Sequence, residues 1–372
     1  MPLNDISFCE TDTAKIKDAV LSAYEEAAGR QLADGDPVRL FLLSVAAVIV
    51  QQRELIDWSA KQNLLAYASG DYLDHLGALL GVSRLTDTPA VTTLEFRLST
   101  ALMFPVLVPA GTRATHDGQT WFATDENAVV PTGQESVRVG ATCMTSGADF
   151  NGLQPGQINE IVDPMPYVES VVNVTATTGG ASTENDDAFR HRINLAPESF
   201  SVAGPSGAYA YHAMSVNPSI VDVAVVGPQE EPGNVYVYPL LSGGQVPSAE
   251  VISQVAEALN DEKVRPLSDH VFVQAPQTRT YHTALTWYLE RSAGTSSAAV
   301  QKAVQAAVAD YELWQRSKLG RDINPSELIR RVMAAGALRV VVDSPLHTVL
   351  AANELAPSDA DAEITFGGIE DG

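Results

Sequence analysis

The sequence has 372 residues, a formal net charge of −23 and two cysteines. A negative field of this size repels phosphate, so a nucleic acid is a poor candidate partner. It also repels further copies of the same chain, so any assembly must depend on local apolar contacts. Two cysteines form no disulfide framework and fit a reducing compartment. The first residues show no signal-peptide pattern, and the most apolar run, residues 40–50, is too short to span a bilayer.

Residues 11–85 have the three- and four-residue apolar spacing of helices throughout. Gly29 predicts the end of a first helix, and Asp36 with Pro37 predicts the N-cap and first residue of a second. No Gly or Pro follows before Gly70, which predicts a single helix of about 32 residues, roughly 48 Å long. A third helix is predicted from Asp71 to Leu80, with these side chains facing inward: Tyr72, Leu73, Leu76, Leu79 and Leu80.

The first two predicted helices carry an apolar stripe. Its members are Ile16, Val20 and Tyr24 on the first helix and Leu42, Val45, Ile49 and Ile56 on the second. Gln52, Ser59 and Asn63 are polar members of the same near-heptad track. Two short neighbours cannot cover a helix this long, so either it bends or another chain buries the stripe. Packing against the rest of the same chain is the alternative.

Near Thr86 the apolar period changes to two, which predicts β-structure. Turn residues at 109–111 and 117–118 favour hairpins. We therefore predict a helical module over 1–87 and a β-rich domain over 88–178.

From residue 179 onward, predicted helices and strands alternate in two successive units, 179–275 and 276–372. These units predict two α+β sandwiches, ferredoxin-like being one form they could take. A helix capped by Thr183 or Asn185 opens the first unit, and strands are expected near 338–343, 347–353 and 362–367. The tail from Asn353 has six acidic residues and no basic one, which favours a solvated acidic end.

No catalytic, cofactor or metal site is predicted. Ser206 follows Pro205 at a predicted helix start, where a capping serine is expected rather than a nucleophile. The acidic run 184–187 could hold a cation, but a helix N-terminus already accounts for its charges. A hydrolase with a cleft between the α+β units stays open, because many active sites leave no local motif. An exported surface protein is a second alternative, which the missing signal pattern argues against.

Seven segments occur in the order found in the baseplate J-like family, the wedge proteins of contractile phage tails and related injection devices. They are GDYLDHLGALLGVSRL, VPAGT with GQTWFAT, SGADFNGLQPGQI, GGASTENDDAFRHRI, SIVDVAVVGPQEEPGNVYVY, LNDEKVRPLSDHVFVQAP and GRDINPSELIRRVMAAGALRVVVDSP. Each segment alone is loosely defined, but the ordered set resembles this family over roughly residues 65–370.

The resemblance implies a structural, non-enzymatic subunit of a bacteriophage-type tail baseplate, assembled in the host cytoplasm. Wedge subunits of this kind surround a hub and spike with six-fold symmetry, and their ring relays the change that triggers sheath contraction. Partners would be further copies of the chain through region 276–370, a second wedge protein, and the hub, spike and sheath-proximal proteins. No cofactor, nucleic acid or membrane insertion is implied.

On this resemblance the apolar stripe enters a helical bundle with the second wedge protein. Gly179 and Gly180 are then a candidate hinge, an ordinary interdomain loop being the alternative.

Overall fold

The computed structural model describes residues 5–201, 204–261, 264–291 and 297–371. These residues fall into two compact units that part between Arg84 and Leu85. The first unit holds three helices: α1 (Thr13–Ala28), α2 (Pro37–Lys61) and α3 (Asp71–Ala78). None of the described helices has both the length and the apolar character that crossing a bilayer requires.

The predicted caps of the first two helices are confirmed. Asp36 accepts a hydrogen bond from the Val38 N–H, and Pro37 is the first residue of α2. Gly29 ends α1 in the left-handed region, with φ of 65°. These local signals were readable because capping depends on neighbouring residues alone.

The single helix of about 32 residues is wrong, because α2 ends at Lys61 after 25 residues. The Asn63 amide donates to the carbonyl oxygens of Ser59 and Ala60 and so satisfies the helix end. The Gln62 side chain accepts from the backbone N–H of Ser69, which fastens the chain as it turns away.

The inward face predicted for the third helix is only partly right. Leu73 is fully buried, whereas Tyr72 and Leu79 are exposed. Helix α3 ends at Ala78, so Leu79 and Leu80 lie beyond it.

The second unit opens with a β-rich domain of eight strands among the described residues. They are β1 (Pro89–Leu98), β2 (Val106–Val108), β3 (Arg113–Thr115), β4 (Trp121–Thr124), β5 (Ala128–Val130), β6 (Ser136–Ser146), β7 (Glu160–Ile161) and β8 (Val168–Asn173). Six of them form one sheet in the order β7-β3-β4-β6-β1-β8, and β2 pairs with β5.

This sheet curls until its two edges nearly close into a barrel. Asn173, at the end of β8, exchanges hydrogen bonds with the Ile158 backbone just before β7. Closure leaves few exposed edge groups and surrounds a core that includes the fully buried Leu94, Phe96 and Phe122.

An α+β domain follows. Its elements are α4 (Asp186–Leu195), α5 (Ser206–Met214), β9 (Ile220–Val226), β10 (Asn234–Leu241), α6 (Ala249–Leu259) and β11 (His270–Val273). The sheet order is β11-β10-β9, with β10 antiparallel to β9 and parallel to β11. Tyr209 of α5 and Val255 of α6 pack on Val237 of β10 in its core.

The last α+β domain places two helices on a three-stranded sheet. Its elements are β12 (Gln277–Thr278), β13 (Ala284–Glu290), α7 (Ser297–Arg316), α8 (Pro325–Ala334), β14 (Arg339–Ser344), β15 (Glu354–Leu355) and β16 (Glu363–Glu370). The sheet order is β14-β13-β16, and β12 pairs with β15. Trp287 of β13 is fully buried beneath Val304 of α7 and Leu328 of α8.

The predicted mixture of helices and strands is confirmed, but the ferredoxin-like detail is not. Each α+β sheet has three described strands, one pair of them parallel, rather than the four strands of a β-α-β-β-α-β unit. The division into 1–87, 88–178, 179–275 and 276–372 stays a prediction.

Two expectations about the end of the chain are wrong. The strand near 347–353 is absent from the described structure, where only Glu354 and Leu355 form the short β15. The tail is not merely a solvated acidic end, since residues 363–370 form β16, which pairs in parallel with β13 while its acidic side chains stay at the surface. Phe366 of β16 lies against Trp287, with ring centroids 4.6 Å apart, so apolar packing holds this segment.

Candidate partner surface and interdomain joint

One side of α2 is apolar and exposed. Phe41, Val48 and Ile56 are 65%, 56% and 55% exposed. The face is completed by Val45, Gln52, Leu55 and Ser59, all exposed. Alternating steps of four and three residues place six of these side chains, from Phe41 to Ser59, on one stripe, and Ile56 lies at its margin beside Leu55. The opposite face, with the buried Ala46 and Val50, lies toward the interior of the unit. The exposed residues of the stripe form a contiguous, largely apolar surface, which we call the α2 face.

The structure divides the predicted stripe between the two sides of this unit. Val45 and Ile56 belong to the α2 face. Ile16 is only 4% exposed, and with Val20 and Ile49 it lines the groove between α1 and α2. Tyr24 and Leu42 are partly buried.

Three members of the α2 face escaped the sequence analysis: Phe41, Val48 and Leu55. They lie one position before Leu42, Ile49 and Ile56, which were chosen instead. The available signal was the series 41-45-48-52-55-59, which alternates steps of four and three. Two apolar tracks overlap on this helix, and the sequence did not say which one α1 covers.

Gly179 and Gly180 are buried and hydrogen-bonded on both sides. The Gly179 carbonyl accepts from the Asn217 amide at 2.8 Å and from the Thr88 hydroxyl at 3.0 Å. Gly180 exchanges two hydrogen bonds with the Asn151 side chain, at 2.7 and 2.9 Å. These contacts link the glycine pair to both the β-rich domain and the following domain.

A buried ion pair lies beside this joint. Arg192 of α4 donates to both carboxylate oxygens of Glu184, at 3.0 and 2.7 Å. The same carboxylate accepts from the backbone N–H of Leu85, and the Glu184 N–H donates to the Leu85 carbonyl. Both side chains are about 5% exposed, so they fix the first residue of the second unit to α4.

The neighbouring acids have structural partners as well. Asn185 caps α4 by accepting from the Ala188 N–H, which selects it over Thr183. Asp187 pairs with Arg190 at 2.6 Å. Across the described ranges, no group of three or more His, Cys, Asp or Glu side chains is placed to hold a metal ion.

A cleft of about 430 Å³ lies beside α5. Tyr209 and His212 line it, and the Tyr209 hydroxyl donates to Asp269 at 2.6 Å. Burial lowers the pKa of His212. Ser206 is exposed in the first turn of α5 and is not its cap, since the N-cap position belongs to Pro205. Within the described structure, these groups do not assemble the nucleophile–base pair of a hydrolase.

Four segments of the chain match baseplate J-like family profiles in order. Residues 34–91 match the N-terminal domain, 93–180 the barrel domain, 201–275 the central domain and 283–358 the C-terminal domain. The chain belongs to the baseplate J-like family. This confirms the resemblance seen in the motifs, and the family consists of structural baseplate proteins.

One curated relative agrees with this membership. Baseplate protein J of Escherichia phage P2 is 31% identical over 191 residues, which are 51% of this chain and 62% of that protein. A solved chain from the six-fold symmetrised cryo-EM structure of the anti-feeding prophage baseplate is 14% identical. That alignment covers 94% of this chain and 90% of the other, with a TM-score of 0.37. The family assignment therefore rests on the sequence matches.

Proposed function

We propose that this chain is a wedge subunit of a contractile tail baseplate. It would join its neighbours into a ring around the hub and spike and relay the change that triggers sheath contraction. Its place would be the virion tail baseplate, after assembly in the host cytoplasm. Family membership supports the structural role, and the exposed α2 face is the observation that supports a partner-bound arm.

The chemistry of the α2 face supports a helical partner. Apolar residues at alternating steps of three and four form the seam along which helices associate. Gln52 and Ser59 interrupt the seam, and polar residues at such positions select the register of a helical bundle. Because the chain has a formal net charge of −23, attraction between it and a partner must come from short-range apolar contact.

The proposed partner of the α2 face is a second wedge protein. Contacts of the C-terminal region, 276–370, with a further copy of the chain would link neighbouring wedges. Stable ring interfaces of this kind generally bury more than about 2,000 Å². Hub, spike and sheath-proximal proteins complete the proposed set of partners.

The contraction relay requires two states of the ring that partner contacts bias. The hinge role of Gly179 and Gly180 stays a prediction. Their hydrogen bonds to Asn217 and Asn151 favour a joint that carries motion from one domain to the next without bending.

The arm proposal is tested with a full-length tagged chain recovered from the cells that produce it. The test variant is Val48→Asp with Ile56→Asp, since both side chains are exposed and their loss leaves the interior of the unit intact. Ala47→Asp with Gln51→Asp is the matched control, because it adds the same two charges to exposed α2 residues outside the α2 face.

Wild type and the control should recover other tail proteins in fixed proportion, identified by mass spectrometry, and the double variant should lose one of them. Equal recovery by the double variant would exclude the α2 face as the contact. A chain recovered without any tail protein would contradict the wedge role itself.

A further inference from the structure

The last strand of the C-terminal domain is an exposed edge. In the described structure, β16 is the outer strand of the order β14-β13-β16. Not one of its residues from Glu363 to Glu370 is buried. Phe366 is 40% exposed and Ile369 is 53% exposed. Folded proteins usually protect such edges with lysine, proline or a covering segment, because open backbone groups recruit other strands.

The pairing with β13 shows which backbone groups face outward. The Glu363 N–H donates to Thr283, and the Glu370 carbonyl accepts from Arg291, so both residues point toward the β13 side. Successive residues of a strand direct these groups to alternate sides, and a bulge near Gly367 shifts the alternation by one residue. Ile364, Phe366 and Ile369 therefore present their N–H and C=O groups at the open edge.

Charge at the edge is uneven. Asp361 and Glu363 lie at its beginning, where Nε2 of His282 is 3.5 Å from the Glu363 carboxylate. At its end, Glu370 pairs with Arg339 and Asp371 pairs with Arg291. The beginning of β16 therefore carries the larger uncompensated negative charge. A second copy of β16 would bring further acids there, which opposes pairing between copies.

We propose that the β16 edge binds an extended segment of another protein by strand addition. That segment carries alternating apolar residues opposite Phe366 and Ile369, and lysine or arginine at the end that lies beside Asp361 and Glu363. Main-chain hydrogen bonds supply the attachment, and the apolar and basic positions supply the selectivity. The inference depends only on this strand and is independent of the wedge role.

The probe is a short synthetic peptide of alternating Val and Thr residues with a pair of Lys at one end. Its twin has a pair of Glu there. Binding to the full chain is measured by fluorescence anisotropy, and amide hydrogen exchange of the chain is followed with and without peptide. The Lys peptide should bind about tenfold more tightly than its twin at low salt, and the difference should shrink as salt is added.

The exchange pattern is the sharper measurement. Bound peptide should slow exchange at Ile364, Phe366 and Ile369 and leave Glu363 and Glu370 unchanged, because their groups already face β13. Ile369→Lys should abolish both effects. Met333→Lys, on the exposed side of α8 and 47% exposed before substitution, should bind like wild type.

Several results would overturn the proposal. These are no binding by either peptide, equal binding by both, uniform protection along β16, or undiminished binding by Ile369→Lys. A dimer seen in sedimentation that Ile369→Lys converts to monomer would assign the edge to a second copy of the chain instead.

Discussion

Two glycine pairs, Gly179–Gly180 and Gly367–Gly368, look alike in the sequence and have opposite surroundings in the structure. The first pair is buried between two domains and held by Thr88, Asn217 and Asn151. The second lies in an exposed edge strand beneath the ring of Tyr288. At Gly180 and Gly367 a close approach by a neighbour explains the need for glycine, and at Gly368 a φ of 118° does, so a glycine pair does not by itself indicate flexibility.

The largest expected effect is at the first pair. A Cβ at Gly180 would overlap the Gly147 carbonyl oxygen and lie 2.9 Å from Oδ1 of Asn151. Gly180→Ala should therefore lower the free energy of unfolding by about 3 kcal/mol, from overpacking and lost hydrogen bonds. Urea denaturation measures it, with Gly227→Ala as control, because a Cβ there meets only the Asn234 carbonyl oxygen at 3.9 Å. Equal stability of the two variants would show that the joint is loose.

Removing a side chain that hydrogen-bonds the first glycine pair should lower the free energy of unfolding by a smaller amount. Asn217→Ala deletes the donor to the Gly179 carbonyl and the acceptor for the Ser219 N–H. Because Asn217 is only 4% exposed, water cannot replace these bonds, and a loss of about 2 kcal/mol is expected. Asn260→Ala is the matched control, since Asn260 is exposed and bonds only within its own helix end. A similar Tm for both would argue against this role of Asn217.

At the second pair, Gly367→Ala is expected to lower the free energy of unfolding by about 1 kcal/mol. A Cβ at Gly367 would lie 2.5 Å from the Tyr288 ring, but the ring is partly exposed and can move. The penalty of Gly367→Ala should therefore shrink in a Tyr288→Ala background and leave only the part caused by Cγ2 of Thr286, 2.8 Å from the added Cβ, which a double-mutant cycle measures. A penalty that is undiminished without the ring would mean that the Tyr288 ring is not what requires the glycine.

The smallest expected effect on stability concerns the ion pair between Arg339 and Glu370. Arg339 stacks 3.8 Å over the Tyr288 ring, and its hydrogen bond to Glu370 lowers the pKa of that carboxyl below its ordinary 4.5. A lowered folded pKa stabilises the protein above the unfolded value, and this contribution is lost as pH falls through the folded pKa. Wild type should exceed Glu370→Gln slightly in stability at neutral pH and match it in strong acid. A constant difference across the pH range would contradict this origin.

Local signals in the sequence predicted much of the fold. Asp36 with Pro37, Gly29 and the alternation in β1 each act through neighbouring residues, and the structure places helix ends and strands accordingly. The length of α2 was missed because its end depends on Asn63 folding back onto helix carbonyls. The pattern of apolar residues continued past that point and concealed the break.

The candidate site was predicted in part. The sequence identified an apolar stripe on α2 and included Val45 and Ile56, which are exposed. It could not tell that packing between α1 and α2 would bury Ile16, nor that Phe41 and Val48 would stay uncovered, because both tracks have helical spacing. Glu184 was read as a helix-end acid, and its pairing with Arg192 and Leu85 was not foreseen.

By itself the sequence determined the family, the mixture of helical and β-rich regions, and the local caps and turns, because each depends on residue order or on near neighbours. The tertiary structure alone decided which α2 track is exposed, which side chains hydrogen-bond Gly179 and Gly180, and that the acidic tail forms an edge strand. Those outcomes depend on residues far apart in the chain, where packing and hydrogen bonding select among patterns that are locally equivalent.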